Sequence, residues 1–235
     1  MKDLFGKAIL DYQTNNSPEN LITETSISDE DEMSVEYLFR SFAEMPKIEQ
    51  KALNMCFGKI LDIGCGAGSH SLYLENEMNL EVTSIDISEN AIKACQLRGL
   101  KNAKVQNVLD LDTHTEKFDT ILLLMNGTGI FGTLSETSKY LQKLKSLLNE
   151  NGQVLIDSSD LIYMFDDEEL EDVKKSNQYY GEITFSIKYK KKKEIAFPWL
   201  YLDYKILQNA VNSIGLQCEK ILEGENFDYL AKISH

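Results

Sequence analysis

Ile60-Leu61-Asp62-Ile63-Gly64-Cys65-Gly66-Ala67-Gly68 carries an apolar run into a loop with a glycine at every second position. A mostly apolar run suits a strand buried on both faces, and such strands belong to parallel sheets. Glycine lets the chain turn sharply where the strand ends and lets a ligand approach with no β-carbon in its way. The helix expected from Gly68 to Met78 then aims its free amide N–H groups at that ligand. A dinucleotide fingerprint puts its third glycine where Ser69 stands, so the G-x-G-x-G spacing points elsewhere. Asp62, two residues before Gly64, can accept a hydrogen bond from an ammonium group or orient the loop; the favoured ligand has an amino-acid end. Asp86, 22 residues after Gly64, ends the next expected strand, where a carboxylate can accept from both hydroxyls of a ribose.

Outward from this loop, strands and helices alternate, which predicts a doubly wound α/β sheet. Strands are expected at 59–63, 81–86, 103–108, 118–125 and 153–157, the last after an Asn151-Gly152 turn. Helices are expected at 68–78, 88–98 (Ser88 as N-cap) and 134–148. Helix 203–213, ended by Gly215, and strands 216–223 and 227–233 close the domain; their short connection requires an antiparallel pair. The alternation Ile183, Phe185, Ile187, Tyr189 and the stretch 195–202 predict a β-hairpin insertion at about 179–202 with a lysine-rich turn. Residues 1–57 read as an N-terminal helical cap: a short helix at 4–12, a break at Pro18, a helix started by Ser28-Asp29-Glu30-Asp31-Glu32, and another from Pro46 to Cys56. Residues 58–235 form the main domain. The cap is placed to act as a lid.

With 235 residues and 43% hydrophobic content the chain can bury a sizeable core. Its formal charge of −14 works against binding a nucleic acid. The basic run Lys188 to Lys193 is a solvated turn or a local site for an anion. Four cysteines with no Cys-x-x-Cys spacing and three scattered histidines give no metal site and suit reduced thiols in the cytoplasm. No apolar run is long enough to span a bilayer.

Asp62 to Gly68, Asp86 and Phe118-Asp119 together resemble the class I S-adenosylmethionine-dependent methyltransferases, across roughly 60–157. The resemblance implies a mostly parallel seven-stranded Rossmann-like sheet with an antiparallel closing strand, and S-adenosylmethionine as cofactor. It implies that Asp62, Gly64, Cys65, Gly66 and Gly68 meet the methionine end, that Asp86 with Ile87 meets the ribose and its surroundings, and that Met125 and Asn126 border the cofactor. A residue after the third strand meets the adenine amino group; Asn107, Asp110 and Asp112 compete, and Asp110 is favoured. Leu122 to Phe131 and Gln153 to Asp160 resemble a narrower bacterial branch whose acceptor is unassigned. A small-molecule acceptor is expected, because the Asn/Asp-Pro-Pro-aromatic signature of amino-methylating nucleic-acid enzymes is absent after Met125.

Asn126 can orient an acceptor or the methionine ammonium, or merely form a turn with Gly127. Asp157 and Asp160 can serve as general bases or as caps, and no catalytic base is assigned. Two other functions use the same fold. A nicotinamide-dependent oxidoreductase would draw on Tyr201 to Lys205, a Tyr-x-x-x-Lys in an unusual place; a non-catalytic binding module would need no acceptor machinery.

Overall fold

The computed structural model describes residues 2–114, 117–176 and 178–235. The chain begins with α1 (Leu4–Gln13), the hairpin β1 (Leu21–Thr25) and β2 (Ser28–Met33), and α2 (Lys47–Asn54). The alternating core follows as β3 (Lys59–Ile63), α3 (Ser69–Asn76), β4 (Glu81–Asp86), α4 (Glu89–Leu97), β5 (Ala103–Val105), β6 (Phe118–Leu123), α5 (Thr137–Leu147) and β7 (Leu148–Ser159). Then come α6 (Asp167–Lys175), the insertion strands β8 (Glu182–Tyr189), β9 (Lys192–Lys193) and β10 (Phe197–Leu200), and the closing α7 (Tyr204–Ser213), β11 (Gln217–Glu223) and β12 (Asp228–Ser234).

Seven strands form the main sheet in the order β11-β12-β7-β6-β3-β4-β5, parallel except for β12, which runs antiparallel to both neighbours. The order reverses direction between β3 and β6, so the loops after these strands part and leave a crevice at their carboxyl ends. Alternate residues of β6 serve opposite faces. Phe118, Ile121 and Leu123 pack with Leu141, Leu144 and Leu207 of α5 and α7, while Leu122 packs with Leu53 and Leu74 of α2 and α3. Helix starts are capped as their sequences require: Ser88 Oγ accepts from the Ala91 amide (2.9 Å) and Asp203 Oδ1 from the Ile206 amide (3.0 Å).

Residues 28–33 are a strand, not the expected helix. Their backbone pairs with β1, Leu21 opposite Met33 and Thr23 opposite Asp31, and β1 pairs in turn with β8 from the insertion. A ladder between segments more than 150 residues apart thus overrides a local helix-start pattern. Val35, just before the first of two short 3₁₀ turns, Glu36–Phe39 and Phe42–Glu44, and Leu38, Phe39 and Phe42 on them keep their apolar role. The N-terminal segment and the insertion therefore build one second sheet, β10-β8-β1-β2, with β9 paired to β8. Two smaller differences concern length. β5 stops at Val105, where Asn107 Oδ1 accepts from the Leu109 amide (2.9 Å) and turns the chain. β7 begins at Leu148, with Asn151-Gly152 inside an irregular stretch of its pairing with β6. Helix α6 has no counterpart in the expected elements.

Candidate functional site

The three loop glycines all hold positive φ: Gly64 at 73°, Gly66 at 53° and Gly68 at 80°. Their surroundings differ. A β-carbon on Gly68 would lie 2.6 Å from Leu100 Cδ1 and 2.9 Å from Cys95 Sγ, so this glycine serves close packing under α4. A β-carbon on Gly64 would lie 3.0 Å from Ile130 Cδ1. A β-carbon on Gly66 would find nothing nearer than the Gly64 carbonyl at 4.0 Å, so Gly66 is the glycine that faces open space. The Gly66 amide donates to Asp86 Oδ2 (3.0 Å) and the Ser88 amide to Asp86 Oδ1 (2.9 Å), which draws the carboxylate after β4 against the loop after β3. Burial pushes the Asp86 carboxyl up, and the two amides pull it back.

Asp62 is buried beneath this loop and looks toward α3. Ser84 Oγ donates to Ser71 Oγ (2.7 Å), and Ser71 Oγ donates to Asp62 Oδ2 (2.6 Å). Asp62 thereby holds the first turn of α3. Cys65 is buried with its sulfur 3.9 Å from that of Cys95, which donates to the Gly66 carbonyl (3.2 Å); the neighbouring thiol and burial push the Cys65 thiol well up. Ile87 and Met125, by contrast, are large apolar side chains left 59% and 37% exposed at the sheet's carboxyl edge. Asp110 is exposed at the end of the short turn after β5.

The N-terminal segment is fastened around the loop. Ser69 Oγ donates to the Leu38 carbonyl (2.7 Å), Arg98 donates to the Ala67 carbonyl (2.5 Å), and the Arg98 guanidinium lies 4.7 Å from the centre of the Phe39 ring. Gly6 lets α1 press against Ser88, where a β-carbon would clash with the Ser88 hydroxyl. Arg40 and His70 (Nε2, 2.6 Å) both bind the buried Glu49 carboxylate; burial would push that carboxyl up, but His70 and Arg40 hold it below its ordinary range. This triad was not legible in the sequence, since its members come from three separate elements.

The loop after β6 has a different construction. Met125 and Asn126 hold φ of 66° and 60° despite their side chains. The Met125 amide donates to Asp157 Oδ2 (3.0 Å) and the Gly127 amide to Asp157 Oδ1 (2.8 Å), so N–H groups of one loop hold one side of a half-buried carboxylate. Burial pushes the Asp157 carboxyl up to about 6. Asn126 is a brace: its Oδ1 accepts from Ser158 Oγ (2.9 Å), and its Nδ2 donates to the Leu200 carbonyl (3.2 Å). Trp199 lies flat on Gly129, where any side chain would clash with its indole. The second sheet thus touches the loop after β6 through β10, and the start of α4 through α1.

Three lysines of the basic turn are paired within the chain: Lys188 with Glu30, Lys190 with Asp11 (3.0 Å) and Lys193 with Glu24 (2.7 Å). They staple the insertion to the N-terminal segment. Asp160 Oδ1 accepts from the Ile162 amide (2.9 Å) and from the Tyr180 hydroxyl (2.8 Å), a capping role. An open depression of about 720 Å³ bordered by Lys117, Lys145 and His235 lies at the opposite, amino end of the strands, away from this crevice. Among the described residues no helix is long and apolar enough to cross a membrane.

The donors and acceptors around the crevice fit a nucleoside carrying an amino-acid tail: open backbone at Gly66, a carboxylate at Asp86, apolar walls at Ile87 and Met125. A methyltransferase domain family model matches residues 58–214. The chain is similar to a SAM-dependent methyltransferase from Bacteroides fragilis solved with S-adenosyl-L-homocysteine, at 41% identity and a TM-score of 0.89, over 99% of this chain and 94% of that one. It shares its fold with an S-adenosylmethionine-dependent methyltransferase from Clostridium acetobutylicum, at 18% identity and a TM-score of 0.58, over 82% of this chain and 93% of that one. No curated protein matches. The chain belongs to the S-adenosylmethionine-dependent methyltransferases, and S-adenosylmethionine is its cofactor.

Proposed function

We propose that this methyltransferase acts on a small-molecule acceptor, in the cytoplasm, within the crevice between the main sheet and the second sheet. The observation that carries the reading is the junction of Gly66 and Asp86, where open backbone and a carboxylate meet at the carboxyl ends of β3 and β4. Asp86 accepts from the ribose hydroxyls, and the backbone of Gly64, Cys65, Gly66 and Gly68 lines the methionine end. Ile87 and Met125 flank the adenosine, and Asp110 meets the adenine amino group. Asp62 acts one step back by holding Ser71 and the first turn of α3. Asn126 keeps the loop after β6 in shape.

When bound, the cofactor supplies a methyl group made electrophilic by a sulfonium. The chain's own task is then alignment and exclusion of water. Two features suit the second: Trp199 on Gly129, and α1 against Ser88, which carry the second sheet across the crevice as a lid. A small acceptor fits such a covered site, and the net charge of −14 disfavours a polyanion. The test is calorimetry with S-adenosylhomocysteine, followed by metabolite profiling with an isotopically labelled methyl donor. Binding with labelled small-molecule product supports the reading; methylation confined to protein or nucleic acid overturns it. Amide exchange in residues 21–44 should slow on S-adenosylhomocysteine binding, and unchanged exchange there removes the lid.

A further inference from the structure

Tyr201 sits between two residues that are locked in place. The Leu200 carbonyl accepts from Asn126 Nδ2 (3.2 Å) and Thr128 Oγ1 (3.0 Å), and the Leu202 amide donates to Ser158 Oγ (2.9 Å). The Tyr201 amide itself donates to the Gly181 carbonyl (2.8 Å). The backbone of 200–202 is therefore held where the loops after β6 and β7 meet, beside Asp157. Such support from neighbouring hydrogen bonds is what a functional side chain needs to keep its aim.

The side chain differs from its neighbours. Tyr179 and Tyr180 donate to Asp203 and Asp160, Tyr189 to Asp11, Tyr204 to the Cys218 carbonyl and Tyr229 to the Leu202 carbonyl. Tyr201 is half-buried, yet its hydroxyl has no hydrogen-bond partner among the described residues. The hydroxyl is not among the buried polar atoms left without a partner, so it opens to solvent and a ligand can reach it. Burial, with Tyr163 and Asp157 close by, pushes the Tyr201 hydroxyl up, so it stays protonated. Tyr163 in turn stacks on Phe227 (ring centres 4.7 Å apart), and both rings are open to solvent. An unpartnered hydroxyl, a carboxylate and a flat aromatic surface thus share one end of the crevice.

Within the loops themselves the charge has one sign; the Arg98 guanidinium, at the end of α4, is turned to the Ala67 carbonyl and the Ser69 hydroxyl. The loops at the carboxyl edge, residues 64–68, 87–88, 106–112, 124–135, 160–166, 201–203 and 224–227, contain Asp110, Asp112, Asp160, Asp166, Asp203 and Glu225 but no lysine or arginine. An acceptor bearing a carboxylate or phosphate would meet no counter-charge there, whereas a cation is attracted.

We propose that Tyr201 contacts the acceptor and that the acceptor is an amine, its nitrogen lodged between the Tyr201 hydroxyl and the Asp157 carboxylate and its apolar body against Tyr163 and Phe227. The proposal rests on the small-molecule reading above. An ammonium has no lone pair to offer. It gives one proton to the Asp157 carboxylate, which becomes the neutral acid, and the nitrogen keeps the electron pair that forms the new N–C bond; the methyl carbon's bond to sulfur breaks, its electrons stay on the departing neutral thioether, and the positive charge passes to the methylated nitrogen. The Tyr201 oxygen accepts a hydrogen bond from a remaining N–H and fixes the direction of that pair. Asp157, held closer to neutrality than a solvated aspartate, suits this uptake.

The experiment uses the full chain saturated with S-adenosylhomocysteine, whose own binding is measured first. Tyramine and benzylamine are then titrated by calorimetry against 3-(4-hydroxyphenyl)propionate and benzoate, acids of similar shape. The amines are expected to bind at least about ten-fold tighter than the acids. Tyr201→Phe should weaken the better amine by about three-fold or more while leaving S-adenosylhomocysteine affinity unchanged. Acids that bind as well as amines, amines that do not bind, or a Tyr201→Phe protein with unchanged amine affinity each overturn the proposal and leave the cofactor reading intact. Failure at the first step, S-adenosylhomocysteine itself, overturns both.

Discussion

The loops after β3 and β6 reach left-handed backbone by opposite means. The first uses Gly64, Gly66 and Gly68, for which positive φ carries no steric cost. The second uses Met125 and Asn126, where a β-carbon makes the same conformation cost on the order of 1–2 kcal/mol per residue. That cost is offset by hydrogen bonds from outside the loop: Asp157 on the amides, and Ser158 and Leu200 on the Asn126 side chain. One half of the crevice is therefore shaped by its own composition, and the other is held by residues of β7 and the insertion. Damage to the props should reach turnover before it reaches cofactor affinity.

The largest effect is expected where the self-shaped half is blocked. Gly66→Val should abolish S-adenosylhomocysteine binding, a loss of about 100-fold or more, because a branched side chain fills the open approach. Positive φ adds a stability loss of about 1–2 kcal/mol, which a folded domain can absorb. Calorimetry showing near-normal affinity in the folded variant would remove Gly66 from the cofactor site. Asp86→Ala should follow, with about 1.5–3 kcal/mol of affinity lost, since it removes a charged acceptor and frees the Gly66 and Ser88 amides. Equal affinity in that variant would leave the ribose without its assigned partner.

Asn126→Ala attacks the propped half. Ser158 and Leu200 each lose a partner, so stability should fall by about 1–2 kcal/mol in chemical denaturation. On the proposed bracing role, turnover should drop severely while S-adenosylhomocysteine affinity stays within about two-fold. A parallel loss of both would mean that the two halves are not separable.

The pH profile sharpens the same contrast. Below about 6 Asp157 takes up a proton, so kcat/KM should fall on the acid side near that value, and Asp157→Asn should erase this limb. The group facing it is Glu49, which stays ionised against His70 and Arg40. The sign separates this loss from unfolding. A carboxyl whose folded value stands above its unfolded 3.8 binds its proton more readily in the native state, so this group favours the fold as pH drops from about 6 to 3.8. An acid limb that coincides with loss of far-UV circular dichroism would reassign it to general denaturation.

The same division explains what could be read from the chain alone. β3, the glycine loop, Asp86 and the Ser88 cap are legible because each is decided by residues a few positions apart. The antiparallel close was legible because a three-residue connection, Gly224 to Asn226, allows nothing else. Ser28 to Met33 was misread as helical because its partner β1 is held by β8, far along the chain, and only that ladder makes a strand of an acidic run. Asn126 and Asp157 were visible as candidates, yet their use as brace and anchor depends on Leu200, Ser158 and Met125 coming together. Tyr201 was visible only within Tyr-x-x-x-Lys. Its position at the end of β10, between two clamped residues, is what gives it a place in the crevice.

The smallest expected effects test whether the props extend to the staples of the second sheet. Lys190 binds Asp11, which is almost fully buried on α1 and also accepts from Asn16 Nδ2 (2.9 Å) and the Tyr189 hydroxyl (3.1 Å). Burial would push the Asp11 carboxyl up, but Lys190 and its other partners hold it down at about 2. A depressed carboxyl stabilises the fold above its unfolded value of 3.8 and loses that contribution as pH falls toward about 2. Lys190→Ala should therefore lower stability at neutral pH by about 1 kcal/mol, and the difference from the parent should shrink below pH 4. Lys193 binds Glu24 in the open, where water and salt screen the pair, so Lys193→Ala should leave the denaturation midpoint unchanged. If both variants behave alike, the insertion is held by its ladder with β1 alone, and the lysine turn adds solubility rather than a hold on the lid.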